Sequence, residues 1–219
     1  MKVLVATDFH GVASAFEAFS SEAEKEHVDL MVLCGDITHF GTLEHAIGLM
    51  SLLVEPRIPI VFVPGNCDPP SLIGVDIPGA TCIHGKKKNY GDLTFIGIGG
   101  SPPTPFHTPF ELTEQKIEDV LNGVYETIAE DRKLILVSHT PPSKTNLDKT
   151  FLGEHAGSRS VRAFIEKRKP MVVFCGHIHE GKGRDRIGRT TILNPGPAKH
   201  RNFAEISIDE DFTFKFDFL

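Results

Sequence analysis

Seven side chains of the kinds that bind metal ions follow short apolar runs at intervals along this chain. One aspartate or histidine after an apolar run is most often structural. The same feature after five separate runs indicates a common site, because ligands bind at the carboxyl ends of strands in α/β sheets. The seven residues are Asp8, His10, Asp36, Asn66, His139, His177 and His179.

The ligand types indicate the class of metal ion. Imidazole nitrogens together with carboxylate and amide oxygens suit Mn²⁺ above all, with Fe, Zn²⁺ and Ni²⁺ as further candidates, whereas Mg²⁺ and Ca²⁺ prefer oxygen alone. Seven ligands are too many for one first-row ion and fit two ions that share a bridging carboxylate. Two ions about 3.5–4 Å apart lower the pKa of a bridging water and hold the attacking and leaving oxygens at a phosphorus atom.

The elements that position these residues are predicted to be strands buried on both faces, because the hydrophobicity of the runs is continuous rather than alternating. We expect the seven side chains to meet at one edge of one sheet. The strands are expected at residues 2–7, 29–35, 58–65, 93–100, 133–139 and 171–177.

Local spacing predicts how pairs of ligands enter the site. In an extended segment residues i and i+2 point to the same side, so Asp8 can join His10 and His177 can join His179. The intervening Phe9 then faces the packed interior, as does Ile178. A glycine precedes Asp36, Asn66 and His177, which permits a sharp exit from each strand and a close approach of the backbone.

Helical patterns alternate with the strands. Apolar residues at three- and four-residue spacing predict amphipathic helices at residues 12–27, 42–55, 112–131 and 158–169, with Thr113 and Ser158 placed to cap the last two. Residues 189–196 and 203–219 alternate apolar and polar residues, which is typical of antiparallel strands, with a hairpin turn at 209–211. The chain is therefore predicted to be one α/β domain over residues 1–219, with mixed strand directions.

Composition limits the class of partner and the compartment. The net charge of −6 and the pI near 6.0 give no general attraction to nucleic acid, and the basic clusters at 84–89, 166–170 and 181–189 are typical of solvated loops. The four cysteines lack CxxC spacing, which favours a reducing cytoplasm. No secretory leader or membrane-spanning run is predicted.

The order of these motifs resembles that of the calcineurin-like metallophosphoesterases, whose motifs are D-x-H, G-D, G-N-H-[DE], a lone histidine after a strand, and G-H-x-H. The corresponding stretches are Asp8-Phe9-His10, Gly35-Asp36, Gly65-Asn66-Cys67-Asp68, His139 and Gly176-His177-Ile178-His179. The segments 138–148, 155–158, 175–181 and 194–197 also resemble a branch of small prokaryotic predicted phosphoesterases.

The resemblance implies a four-layer αββα sandwich, in which two mixed sheets lie face to face between helices. It also implies two metal positions that share Asp36 as a bridging ligand. One position would be completed by Asp8, His10 and His179, and the other by Asn66, His139 and His177.

One residue departs from the family pattern. The family places a histidine over the substrate after the asparagine, where this chain has Cys67. A thiol adds no cation there, so either Cys67 lines the pocket and weakens assistance to the leaving group, or it is a packed turn residue. His155, before a predicted helix start, and His107, in the Pro-rich stretch 101–110, are candidates to supply the imidazole; each has a surface or capping role as its alternative.

The function expected from these features is metal-dependent hydrolysis of a phosphate ester by in-line attack of a metal-bridging hydroxide. A phosphodiester is favoured because its transition state carries less charge and loses less without a cation at Cys67. The expected partner is a small phosphate ester, nucleotide-like compounds included, rather than a membrane or a nucleic acid. The alternative is a catalytically idle scaffold that binds proteins. His27, His39, His45, His84 and His200 are expected to be surface or structural residues, and Asn194 to fix a turn.

Overall fold

The computed structural model describes residues 1–53, 57–129, 133–209 and 214–219. Every strand expected from a continuous apolar run is present within these ranges, although each is shorter than the run itself. In chain order the strands are β1 (Lys2–Ala6), β2 (Leu30–Leu33), β3 (Ile60–Phe62), β4 (Ala80–Cys82), β5 (Lys87–Tyr90), β6 (Leu93–Ile98), β7 (Lys133–Ser138), β8 (Val172–Phe174), β9 (Gly183–Ile187), β10 (Thr190–Asn194), β11 (Ala204–Ile208) and β12 (Phe214–Phe218).

Four helices match the predicted amphipathic segments. They are α1 (Ala13–Lys25), α2 (Leu43–Ser51), α3 (Glu114–Tyr125) and α4 (Arg159–Arg168), and three short 3₁₀ turns lie elsewhere. The hydroxyl of Thr113 accepts from the Lys116 amide and that of Ser158 from the Val161 amide, so both predicted caps are confirmed. The predicted ends of helices at 54–55 and 130–131, and most of the turn at 209–211, lie outside the described residues.

The strands form two mixed sheets of six strands each. The first has the order β12-β11-β1-β2-β3-β4, and the second has the order β5-β6-β7-β8-β10-β9. In the first sheet β1 through β4 run parallel, β11 is antiparallel to β1, and β12 is antiparallel to β11. In the second sheet β5 and β9 are the antiparallel edge strands. The expectation of mixed strand directions is therefore confirmed.

Three buried apolar clusters separate the layers. Val3 and Val5 of β1 pack between the sheets with residues such as Ile135 of β7, while Leu4 and Ala6 of β1 face the opposite way, toward α1 and α2. A third cluster joins the outer face of the second sheet to α3 and α4. Because successive strand residues point to opposite faces, β1 contributes to two clusters at once, and the layers are helix, sheet, sheet, helix.

Two expectations about the sheets were incomplete or wrong. The seven candidate ligands do not come from one edge of one sheet, since β1, β2 and β3 belong to the first sheet and β7 and β8 to the second. Continuous apolar runs show that a strand is buried, but not which of two facing sheets it joins. The short strands β4, β5 and β9, all at sheet edges, were also missed. Two of them, β5 and β9, are rich in lysine and arginine, as edge strands often are.

In the described ranges, no helix has both the length and the apolar character that crossing a bilayer requires.

Candidate metal centre

The carboxyl ends of five strands meet where the two sheets face each other. Within the first sheet, the Asp8 amide donates to the carbonyl of Gly35 at 2.9 Å, which ties the end of β1 to the end of β2. The His177 amide, after β8, donates across to Asp8 Oδ2 at 3.0 Å. Each of the seven candidate ligands lies at one of these five ends, and a chain of side-chain and main-chain contacts connects all seven.

The first group of donors surrounds Asp8. Asp8 Oδ1 lies 3.5 Å from His179 Nε2 and 3.8 Å from His10 Nε2, and the two Nε2 atoms are 3.0 Å apart. Asp8 is 1% exposed. Three ligand atoms therefore point at one small volume, as a shared cation requires.

The second group surrounds His139, which is completely buried. Its Nδ1 is 2.7 Å from the Cys34 carbonyl, to which it donates, so Nε2 is left to face the site. That Nε2 lies 2.8 Å from Asn66 Oδ1 and 3.5 Å from Asp36 Oδ1. The ring of His177 completes the group at 5.1 Å from that of His139.

Asp36 lies between the two groups. Its Oδ1 faces His139, while its Oδ2 lies 3.6 Å from His10 Nε2. The Cys67 amide donates to Oδ1 at 2.8 Å and holds the carboxylate in this orientation. One oxygen toward each group is the geometry that a bridging carboxylate needs.

The chemistry of the donor set fits divalent cations. Asp8 Oδ1 is buried and accepts no hydrogen bond from the residues that the structure describes. The ion-pair partners found for Asp8 and Asp36 in those residues are histidines. A buried carboxylate without a cation is costly, so two of them in one pocket indicate a site for positive charge.

Burial sets the protonation of the imidazoles. It lowers the pKa of His10 and that of His177 to about 3, so both rings are neutral near pH 7 and have a lone pair to offer. Burial also raises the pKa of the Asp36 carboxyl to about 7, assisted by the nearby carboxylates of Asp8 and Asp68 and opposed by His139. For Asp8 the histidines outweigh burial and lower the pKa.

The backbone enters the site differently from the prediction. Asp8 and His10 have φ of 57° and 48°, and His177 has φ of 68°, so these motifs turn through left-handed conformations rather than continuing as extended strand. The i, i+2 explanation is therefore wrong, although Phe9 and Ile178 are buried as expected. The turn at Asp8 goes with the hydrogen bond from its amide to the Gly35 carbonyl after β2. Sequence spacing does not reveal such a bond.

All three glycines before ligands allow close approach of the backbone, and a Cβ on Gly35 would lie 2.6 Å from the Gly65 nitrogen. A Cβ on Gly65 would lie 2.0 Å from Asp36 Oδ1, and a Cβ on Gly176 would lie 1.8 Å from the hydroxyl oxygen of Thr7. Gly65 therefore makes room for the carboxylate between the groups, and Gly176 lets the two sheets touch at the site. The expected close approach is confirmed at all three positions.

Asp68 positions the loops that carry Asp36 and Asn66, a role that was not predicted from the sequence. It is completely buried and accepts from the amides of Ile37, Thr38 and Gly65 at 2.7–3.1 Å. These bonds tie the loop after β2 to the turn after β3, which carry Asp36 and Asn66. The sequence feature that could have indicated this role is the acidic residue two positions after Asn66.

Cys67 lies at the edge of the first group. Its sulfur and ring nitrogens of His10 and His39 all lie within 4.8 Å of one another, and the side chain is 6% exposed. Burial and the Asp36, Asp68 and Asp8 carboxylates raise the pKa of the thiol far above its usual range. Cys67 is thus a neutral, mostly buried thiol beside the candidate ligands.

The two candidate substrate-side histidines are placed away from these contacts. His155 Nδ1 lies 2.7 Å from the buried Asp148 carboxylate, and His107 is exposed in its loop with φ of 51°. That loop is held by Glu111, which accepts from Thr104 and Thr108, and the Phe110 amide at its end donates to the Asn66 carbonyl. In the described part of the chain, no hydrogen bond, ion pair or ring contact joins either histidine to any of the seven.

Of the remaining histidines, some are exposed to solvent and one holds a loop through a hydrogen bond. His84 Nδ1 accepts from the Gly99 amide at 2.9 Å, so its structural role is confirmed. His27 and His45 are exposed. The Asn194 side chain accepts from the Gly196 amide at 2.8 Å and fixes the turn as expected. His39 is exposed but lies beside the candidate centre, which the sequence did not indicate.

Comparisons with known proteins show the family to which the chain belongs. The family model described as calcineurin-like phosphoesterase matches residues 1–181. An uncharacterized protein of Methanocaldococcus jannaschii is 38% identical over 205 residues, which cover 91% of this chain and 90% of that protein. A Rhodopseudomonas palustris protein named "Probable cyclic nucleotide phosphodiesterase" is 28% identical over 200 residues, covering 82% of this chain and 72% of that protein.

A solved structure shares the fold. The dimetal phosphatase of Danio rerio superposes with a TM-score of 0.72 at 13% identity, and the match covers 100% of this chain and 98% of that one.

Proposed function

Because the chain belongs to the calcineurin-like phosphoesterase family, we propose that it hydrolyses a phosphate ester with two divalent cations held by the seven clustered side chains. The observation that carries this proposal is the meeting of two buried carboxylates and four histidines at the facing ends of two sheets. Two such carboxylates have no reason to stay buried together unless a cation joins them.

The ligands divide into two sets that share Asp36. Asp8, His10 and His179 would hold one cation with Asp36 Oδ2, and Asn66, His139 and His177 would hold the other with Oδ1. When bound, two cations would activate a water for in-line attack on phosphorus and would neutralise charge on the phosphoryl oxygens. Mn²⁺ is proposed for both positions because nitrogen and oxygen donors are mixed.

The protein's own contacts keep the ligands ready for binding. The Cys34 carbonyl fixes the tautomer of His139, so that its free nitrogen faces the site. The Cys67 amide orients Asp36, and the His177 amide holds Asp8 Oδ2, which leaves Oδ1 free. Such outer contacts place the donors before any cation arrives.

A small phosphodiester is the proposed substrate. The position next to Asn66 offers a neutral thiol where a cation would favour the more highly charged transition state of a monoester. The relative named as a cyclic nucleotide phosphodiesterase supports a nucleotide-like diester. Four free, buried cysteines support a reducing compartment such as the cytoplasm.

The test is hydrolysis of bis-p-nitrophenyl phosphate by the purified protein with added Mn²⁺. Activity should depend on the metal, and Asp36→Ala and His139→Ala should each lower kcat/KM by more than about 100-fold, since changes outside the ligand shell alone cost about 10–100-fold. His45→Ala, which replaces an exposed imidazole, is the matched control and should retain activity. Absence of turnover with every first-row metal would favour the scaffold instead.

A further inference from the structure

His39 lies on the loop after β2, three residues beyond Asp36. Its ring centroid is 5.3 Å from that of His10, with the planes at 76°. One of its ring nitrogens lies within 4.8 Å of both a His10 nitrogen and the Cys67 sulfur. The imidazole of His39, which comes from a different loop, therefore lies next to Cys67. In the family pattern the imidazole in this region belongs to the residue after the asparagine, which is position 67 itself.

The main chain around His39 is firmly held although its side chain is exposed. The Thr38 amide donates to Asp68 Oδ1 at 2.7 Å, and the Phe40 amide donates to the Cys67 carbonyl at 3.0 Å. The Phe40 ring lies 4.6 Å from the His39 ring on the solvent side of the loop. Main-chain hydrogen bonds at the residues before and after His39 fix its backbone relative to Cys67. The position of this backbone therefore does not depend on how the ring packs.

The exposure of the ligands shows from which side a substrate can arrive. The side chains of Asp36 and His139 are 3% and 0% exposed, whereas that of His10 is 11% exposed and that of His179 is 33% exposed. The centre is thus closed behind His139 and open on the side of His10 and His179. His39 packs against His10 and is itself exposed, so it borders this opening.

We propose that His39 contacts the substrate and donates a hydrogen bond from its imidazole to a phosphoryl oxygen, in the place left by the Cys67 substitution. This inference deepens the proposed phosphoesterase function and rests on it. A fixed donor at the open side of the centre adds to the stabilisation of charge on phosphorus, and such donors are worth about 10²–10³-fold in rate.

The experiment compares His39→Ala and His39→Gln with the parent protein, and His45→Ala serves as an exposed histidine on the following helix. Metal content is measured first, and then the affinity of the Mn²⁺-loaded protein for inorganic phosphate by calorimetry. Finally, kcat and KM are measured with bis-p-nitrophenyl phosphate.

His39→Ala should keep its full metal content, bind phosphate about tenfold more weakly and lose at least about tenfold in kcat/KM. His39→Gln, which retains an N–H donor, should recover part of both losses. The double variant His39→Ala/Cys67→His should also regain activity, because it returns an imidazole to the same space.

Unchanged phosphate affinity and turnover in His39→Ala would overturn the assignment. Loss of a metal ion from His39→Ala would also overturn it, because His39 would then be a ligand. If the parent protein hydrolyses no ester, the proposed function fails. In that case, weaker phosphate binding in His39→Ala would still support the contact between His39 and a phosphoryl oxygen, and unchanged phosphate binding would refute it.

Discussion

Asp8 and Asp36 are carboxylates of the same type in one buried pocket, yet their pKa values move in opposite directions. The histidines around Asp8 outweigh its burial and lower its pKa, whereas burial and the charges of Asp8 and Asp68 raise the pKa of Asp36. The first shift arises because the histidines favour the charged form of Asp8, and the second because burial and like charges disfavour the charged form of Asp36. A cation between the groups would remove that conflict, and the two carboxylates are arranged around the space where it would sit.

The thiol at position 67 gives a prediction about substrate preference. Replacing Cys67 by histidine places a second imidazole beside His10 and should raise the ratio of monoester to diester kcat/KM by at least about tenfold, since a positioned acid is worth about 10²–10⁴-fold. The measurement compares p-nitrophenyl phosphate with bis-p-nitrophenyl phosphate. Cys67→Ser, which adds no cation, is the control and should leave the ratio unchanged; an unchanged ratio in Cys67→His would favour a packed turn residue.

Residue types were predictable at this scale, but backbone conformations were not. Aspartate, histidine and asparagine after five apolar runs indicated the donor set, and the structure brings all seven together. The left-handed turns at Asp8, His10 and His177 were not predicted, because they result from bonds between strands that are distant in sequence. For the same reason, no sequence pattern indicated that His39 would lie beside Cys67.

At the scale of elements, the site depends on how closely the two sheets approach. Strand ends from one sheet alone would supply only Asp8, His10, Asp36 and Asn66. The remaining histidines arrive because the Gly176 amide donates to the His139 carbonyl and the His177 amide donates to Asp8. Apolar runs predicted the strands well, but the assignment of strands to sheets required the three-dimensional packing.

Gly176 tests this dependence on close approach. In Gly176→Ala the new methyl group would overlap the Thr7 hydroxyl and lie 2.7 Å from Asp8 Oδ2. We expect the free energy of unfolding to fall by about 1–3 kcal/mol, as for other overpacked sites, and Mn²⁺ binding to weaken. Urea denaturation in the presence of a chelator measures the first effect, and calorimetry measures the second.

The matched control for that substitution is Gly48→Ala in the middle of α2. No atom lies within 4 Å of the Cβ that it would add, so the change should stabilise the protein by about 0.5–1 kcal/mol. Equal stability and equal Mn²⁺ affinity in Gly176→Ala and the parent would show that the contact between the sheets does not control the site.

At the scale of the whole molecule, folding brings together buried carboxylates that repel each other in the absence of a cation. The layered packing makes this possible, since three apolar clusters hold the two sheets face to face. The layered architecture was predictable from the motif order, because it rests on a family pattern that spans most of the chain.

The raised pKa of Asp36 predicts how metal binding responds to pH. The carboxyl is neutral below about pH 7 in the metal-free protein, and a ligand must be deprotonated, so binding releases its proton in that range. Because one carboxyl with a pKa of about 7 loses one proton on binding, affinity for Mn²⁺ should fall by about fivefold from pH 7 to pH 6 and by only about twofold from pH 8 to pH 7. Calorimetry at the three pH values checks this, and an affinity independent of pH would contradict it.

The most direct test of the account is the anomalous scattering of a crystal grown with Mn²⁺. It should show two peaks about 3.5–4 Å apart, with Asp36 between them, one peak beside Asp8 and the other beside His139. A single peak, or ions bound elsewhere while these side chains keep their direct contacts, would contradict the claim that the seven residues hold a pair of cations.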